Sequence, residues 1–253
     1  MTQPKPPLLS RIICIGLFCL AVAAPASLRA DDTMTAPTQP ADTSRLYYLT
    51  GKKPDAIALL APPPLPGSPE QAADLEEVRA VFHAAGSNDI AIAYSQKKFN
   101  VFTFAPVVGA FFQSNNLPRT AAFFARVHKD AEAVTDNAKD YYRRQRPYVT
   151  DPGLANGKLE KSFSYPSGHS TESMVLALVL ADLLPGKRDA IIAEARGIGW
   201  HRVQIARHYP TDIYAGRVLA QAIVKQMVKS DAFQQDFAAA RAEIAAAQTA
   251  ANN

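Results

Sequence analysis

Three of the chain's five histidines, His169, His201 and His208, fall within 40 residues of one another, and basic residues gather around them. In KDYYRRQRP (139–147), Lys139 and Arg146 stand seven residues apart. Two helical turns would set them on nearly one line of one face, with Arg143 close to it and Arg144 rotated away. Two cations in register can grip two oxygens of one tetrahedral anion, the arginine through its planar fork. In YPSGHS (165–170), Pro166 suits a helix entry, and Ser167 or Ser170 can cap it. Gly168 lets an anion approach the free N–H groups of that helix start closely. His169 adds a group able to carry a proton near neutral pH, and Glu172 falls in the first turn. In WHRVQIARHYPTD (200–212), His208 follows Arg202 by six residues and precedes Asp212 by four. A carboxylate on one imidazole nitrogen fixes the tautomer and makes the other nitrogen more basic, which turns a histidine into a nucleophile or base.

A solvated basic face, an ordinary capped helix and a helix-end histidine would each explain one cluster alone. Together the clusters supply cations, a glycine turn and two histidines, the components of phosphoryl transfer without a metal. No HExxH occurs and the carboxylates do not gather around the histidines, so neither a metal site nor a cofactor is expected.

The elements that must position these groups read as helices. The segments 71–86, 88–99, 120–147, 188–208 and 211–229 carry helical periodicity or composition, with Pro147 stopping the third. The apolar run after YPSGHS ends at LPGK (184–187). No strand-like alternation persists, so the expected class is all-α, one domain spanning 46–231. An alanine-rich C-terminal helix or tail follows at 232–253. Residues 47–71, rich in proline, should run extended along the surface, with Pro210 breaking the chain and Thr211 capping the helix after it. Tyr141, Tyr142, Trp200 and Tyr209 are read as packing groups, and His83 and His128 as structural.

Residues 1–30 have the layout of a secretory signal peptide: Lys5 and Arg11, the apolar run 12–24, then small residues that place cleavage near 26–30. A flexible arm at 31–45 is expected next. Both cysteines, Cys14 and Cys19, lie in the signal, so no disulfide is expected. Removing Lys5, Arg11 and Arg29 from 27 basic residues leaves 24 against 23 acids. A charge so near zero argues against nucleic acid as a partner. The chain is expected to be periplasmic or secreted, without stable membrane insertion.

The three clusters resemble the signature of the type 2 phosphatidic acid phosphatase superfamily: K-x6-RP, PSGH and SR-x5-H-x3-D. The match runs through Lys139 with Arg146-Pro147, then Pro166-Ser167-Gly168-His169, then Arg202, His208 and Asp212. The SYPSGH form, the leader and the proline-rich segment are similar to the class A bacterial non-specific acid phosphatases. The resemblance implies a helical bundle that hydrolyses small phosphate monoesters and carries no metal. In that chemistry His208 would attack phosphorus, Asp212 would orient it, and His169 would serve the leaving oxygen and then water. Lys139, Arg146, Ser167, Gly168 and Arg202 would hold the phosphate. His201 stands where the pattern has serine and is a candidate pH-dependent contact. A homo-oligomer is in keeping with the family. The rival readings are a vanadium-dependent haloperoxidase, a lipid phosphatase and a non-catalytic phosphate-binding protein.

Overall fold

The computed structural model describes residues 46–251, so the expected signal peptide and arm lie outside the described residues. Every regular element among the described residues is helical. Five longer helices carry most of the architecture: α2 (Pro69–Ala84), α5 (Pro118–Tyr142), α7 (Gly168–Leu183), α8 (Arg188–Gln204) and α9 (Pro210–Met227). A sixth, α10 (Asp231–Ala251), closes the chain. Shorter pieces complete the series: α1 (Ala56–Leu59), α3 (Ser87–Ser95), α4 (Ala105–Val108) and α6 (Pro147–Thr150). No helix among the described residues is long and apolar enough to cross a membrane.

The centre of the molecule is α7. Its sequence is apolar nearly all round, the pattern of a helix covered on every side, and α8, α9 and α5 pack against it. Val175, Leu176, Ala177, Leu180 and Ala181 are fully buried there. Its buried hydroxyls all find backbone acceptors: Ser170 Oγ donates to the Ile213 carbonyl at 2.8 Å, Thr171 Oγ1 to the Ser167 carbonyl at 2.8 Å and Ser173 Oγ to the Ala195 carbonyl at 3.3 Å. A smaller apolar cluster, with Leu75, Val78, Tyr148, Val203 and Tyr209, lies beside this core.

Two expectations are corrected. The long amphipathic helix stops at Tyr142, not at Pro147. Arg143 adopts the left-handed conformation (φ 51°) and donates its N–H to the Lys139 carbonyl at 2.9 Å. Arg146 is extended (φ −78°, ψ 157°), as the residue before a proline must be. Lys139 and Arg146 therefore do not share a helix face. Secondly, α9 begins at Pro210 with Tyr209 as its cap; Asp212, not Thr211, closes the turn by accepting the Tyr209 N–H at 2.9 Å. Of the two forms expected for the C-terminal segment, helix or tail, the structure has the helix, α10, packed on the same core. Phe233, Ala240 and Ile244 are buried in it. Glu243 accepts the N–H groups of Arg119 (3.0 Å) and Thr120 (2.7 Å), supplying α5 with the cap its own sequence lacks.

The first described residues are pinned in the same way. Buried Asp130 on α5 accepts the backbone N–H groups of Tyr47, Tyr48 and Leu49 at 2.7–3.0 Å.

A close approach of α9 to the entry of α7 falls beneath YPSGHS. A Cβ on Gly216 of α9 would lie 2.9 Å from the Ser167 carbonyl oxygen and 3.0 Å from the Thr171 nitrogen. These are backbone atoms of the α7 entry and cannot swing aside. Gly216→Ala should therefore cost about 1–3 kcal/mol by urea denaturation and displace the start of α7, with loss of activity. A variant of wild-type stability and activity would contradict that placement.

Candidate active site

Five parts of the chain converge on one cleft of about 530 Å³: residues 97–99 after α3, the C-terminal half of α5, the segment 143–167, the N-terminus of α7 and the turn between α8 and α9. Lys139, Arg146, Gly168, His169 and His208 line it, together with Glu160, Ser162, Glu172 and His128. Arg202, Ser167 and Asp212 are fully buried and lie behind that lining. His201, the expected pH-dependent contact, is not among the residues lining the cleft: its Nδ1 lies 2.6 Å from Gln96 Oε1, at the C-cap of α3. Tyr209, Trp200 and Tyr142 pack against other groups and do not line the cleft.

Asp212 organises the site. Its Oδ2 accepts from Ser164 Oγ at 2.5 Å and from the Tyr209 N–H at 2.9 Å, and it lies 3.3 Å from His208 Nδ1. Its Oδ1 accepts from Arg144 Nη1 at 2.6 Å, and its backbone carbonyl accepts the Ser167 N–H at 3.0 Å. One residue thus ties the third cluster to the second. With a carboxylate on Nδ1, the proton of neutral His208 sits there, leaving the Nε2 lone pair 3.3 Å from Arg146 Nη1. Burial, then Arg146 and Lys139, push the His208 pKa well below its ordinary value, so the imidazole stays neutral and nucleophilic in acid.

The cations are held by backbone. Lys139 Nζ donates to the Phe163 carbonyl at 2.8 Å. Arg146 donates to the carbonyls of Ser162 (2.7 Å) and Arg207 (2.8 Å) and pairs with Glu160 at 2.8 Å. Burial first, and then the charge of Arg146, lowers the Lys139 pKa to about 8. Ser167 Oγ caps α7 by accepting the Ser170 N–H at 3.3 Å. His169 Nε2 is buried with no partner, while Phe99 lies across its ring at 5.3 Å. Among the described residues no group of three His, Cys, Asp or Glu side chains could hold a metal ion.

Four residues of this site escape sequence reasoning. Arg144, placed by helical spacing on the wrong face, is buried and also pairs with Asp74 (2.6 Å), bonds Gln71 (2.7 Å) and covers the Tyr209 ring at 3.8 Å. Ser164 sits one residue before the YPSGHS stretch, and its hydroxyl is the only signal. His128, read as structural, forms part of the cleft wall through its pair with Glu172 at 2.9 Å. Glu160 stands in a loop without a motif.

Against this geometry, residues 122–234 match the family model described as PAP2 superfamily. That stretch of the chain carries a PAP2 superfamily domain. The acid phosphatase of Zymomonas mobilis is 29% identical over 229 residues, 87% of this chain and 86% of that protein. The non-specific acid phosphatase of Providencia stuartii is 28% identical over 250 residues, 92% of this chain and 96% of its own. Among solved structures, the transmembrane PAP2 type phosphatidylglycerolphosphate phosphatase from Bacillus subtilis aligns at TM-score 0.46 and 19% identity, over 69% of this chain and 89% of that one.

Removing Arg144 would leave Asp74 and Asp212 buried and uncompensated. Arg144→Ala should cost about 3–5 kcal/mol in urea denaturation, and Arg144→Lys should fall between, since a point charge cannot span two carboxylates. A loss below about 1 kcal/mol, the size of an exposed ion pair, would refute this role.

Proposed function

We propose that the chain is an exported, metal-independent acid phosphatase that cleaves phosphate monoesters through a phosphohistidine on His208. The chain is a phosphatase carrying a PAP2 superfamily domain. The observation that carries the finer reading is His208: neutral, buried, oriented by Asp212 through Nδ1, and set in the cleft wall between Lys139 and Arg146. Export rests on the apolar run 12–24 and the small residues after it.

In the first step His208 Nε2 forms a bond to phosphorus as the P–O ester bond breaks, and His169 gives a proton to the departing oxygen. In the second, His169 takes a proton from water, the water oxygen attacks phosphorus and the N–P bond breaks, releasing inorganic phosphate. Lys139, Arg146, Arg202 and the N–H groups at Gly168 neutralise the equatorial oxygens as charge shifts onto them. Fixed cations of this kind do the work for which other phosphoryl-transfer sites use a metal ion.

With EDTA present at pH about 5–6, the wild type should hydrolyse p-nitrophenyl phosphate and the His208→Ala variant should lose nearly all turnover, a fall of at least about 10³-fold. An alkaline quench after mixing with labelled substrate should trap label on His208. Loss of wild-type turnover in EDTA would refute metal independence, and turnover without label on histidine would refute the intermediate.

The pH dependence has a defined direction. Burial and the charge of Arg202 push the His169 pKa down to about 4. A general acid must carry its proton as substrate arrives, so kcat/KM should fall about tenfold per pH unit on the alkaline side of that value. Stability runs the other way. Between the ordinary 6.5 and about 4 the unfolded chain binds a proton at this position that the folded chain does not, so stability falls as pH drops through that window. A kcat/KM profile that climbs toward pH 8 would contradict the assignment of His169.

A further inference from the structure

Arg202 is expected to hold phosphate, yet its side chain does not line the cleft, whereas Glu160 does. The Glu160 carboxylate lies against both guanidinium groups of the anion seat: Oε2 is 2.8 Å from Arg146 Nη2, and Oε1 is paired with Arg202 Nη2. These are donor atoms that an incoming phosphate would use. Arg202 is 2% exposed, and its Nε is buried without a partner. A phosphate could reach Arg202 only if this carboxylate withdrew.

Glu160 is also built to move more readily than its partners. It is part of the irregular segment 155–167, and its side chain keeps 25% of its exposure, against 4% and 2% for the two arginines. The backbone on either side is anchored. The Glu160 carbonyl accepts from Tyr148 Oη at 2.8 Å, and Arg207 Nη2 donates to the Asn156 carbonyl. A hinge of the side chain alone would therefore clear the seat. Burial alone would raise the Glu160 pKa, but the charges of Arg146 and Arg202 outweigh it and hold the carboxyl at about 2, so it is an anion throughout the working range.

We propose that Glu160 is an internal competitor for the phosphate seat: its carboxylate occupies Arg146 and Arg202, incoming phosphate displaces it, and its return helps expel the product. The inference rests on the phosphatase reading of the same site. It makes Glu160 a determinant of affinity. Apparent phosphate affinity is the intrinsic value reduced by the fraction of molecules in which the carboxylate has withdrawn. A neutral side chain at this position removes that reduction.

Calorimetric titration of inorganic phosphate into the wild type, Glu160→Gln and Glu160→Ala at pH 6 tests this, with phosphate inhibition of p-nitrophenyl phosphate hydrolysis measured beside it. Both variants should bind phosphate about tenfold tighter, as a withdrawn fraction near one in ten would give. KM should fall in step while kcat does not rise. Unchanged or weaker phosphate binding in variants that melt like the wild type would overturn the inference and make Glu160 a fixed brace for the two arginines. A crystal structure of the wild type with bound phosphate distinguishes the same two roles without mutation. Glu160 out of reach of Arg202 supports the competitor, and phosphate seated with Glu160 still on both arginines overturns it. Phosphate binding by none of the three proteins would defeat the phosphatase reading and this inference together.

Discussion

A buried carboxylate shared between a guanidinium and an imidazole is the constraint on which the rest of the site depends. Asp212 is fully buried, and an ion of that kind is tolerated in a protein interior only when it is paired and its lone pairs are filled. Arg144 supplies the countercharge, Ser164 and the Tyr209 N–H fill the remaining lone pairs, and His208 takes the last position. Arg144 in turn needs Asp74, which draws α2 onto the start of α9. Burial alone would lower the Arg144 pKa, but Asp212 and Asp74 outweigh it, so the charge stays. The orientation of His208 is thus fixed by a network whose other members, Arg144, Ser164 and Asp74, do not line the cleft.

The cleft side is governed by the opposite problem. Lys139, Arg146 and Arg202 crowd into a small volume, and each is expensive to bury beside the others. Main-chain carbonyls of the 162–163 stretch and of Arg207 offset part of that cost. They donate no proton and carry no full charge, so they do not cancel the field an anion would meet. Burial first, and the neighbouring cations after it, lower the pKa of both His208 and His169. Both histidines thus share one buried, cation-rich surrounding.

Much of the site is legible in the sequence because its residues are short-range and chemically distinctive. His208 and Asp212 lie on successive positions of one turn and helix start, and Gly168 and His169 open one helix, so local rules suffice to place them. The reading of Lys139 and Arg146 as one helical face fails even though both residues do reach the cleft. It extends helical spacing past Tyr142, while the left-handed Arg143 and the extended Arg146 release the chain there. The same extension turns Arg144 outward, when it is buried. His201 shows the converse, a residue next to a motif that faces another helix.

Local sequence was enough to set the all-α class, the order of the helices and the types of group present, because hydrophobic periodicity, proline and caps act within a few residues. It was also enough to show that cations outnumber acids in the three motifs. Which of these groups share a space was settled by the packed fold. Glu160 meets Arg202 across 42 positions, Ser164 meets Asp212 across 48, and Arg144 meets Asp74 across 70. Pairings of that range are set by where the packed core lets the loop 143–167 return, and no local propensity encodes that path. The physical reason is burial. Once α7 is enclosed by α5, α8 and α9, each charged group left inside must find its partner among whatever elements the packing brings near.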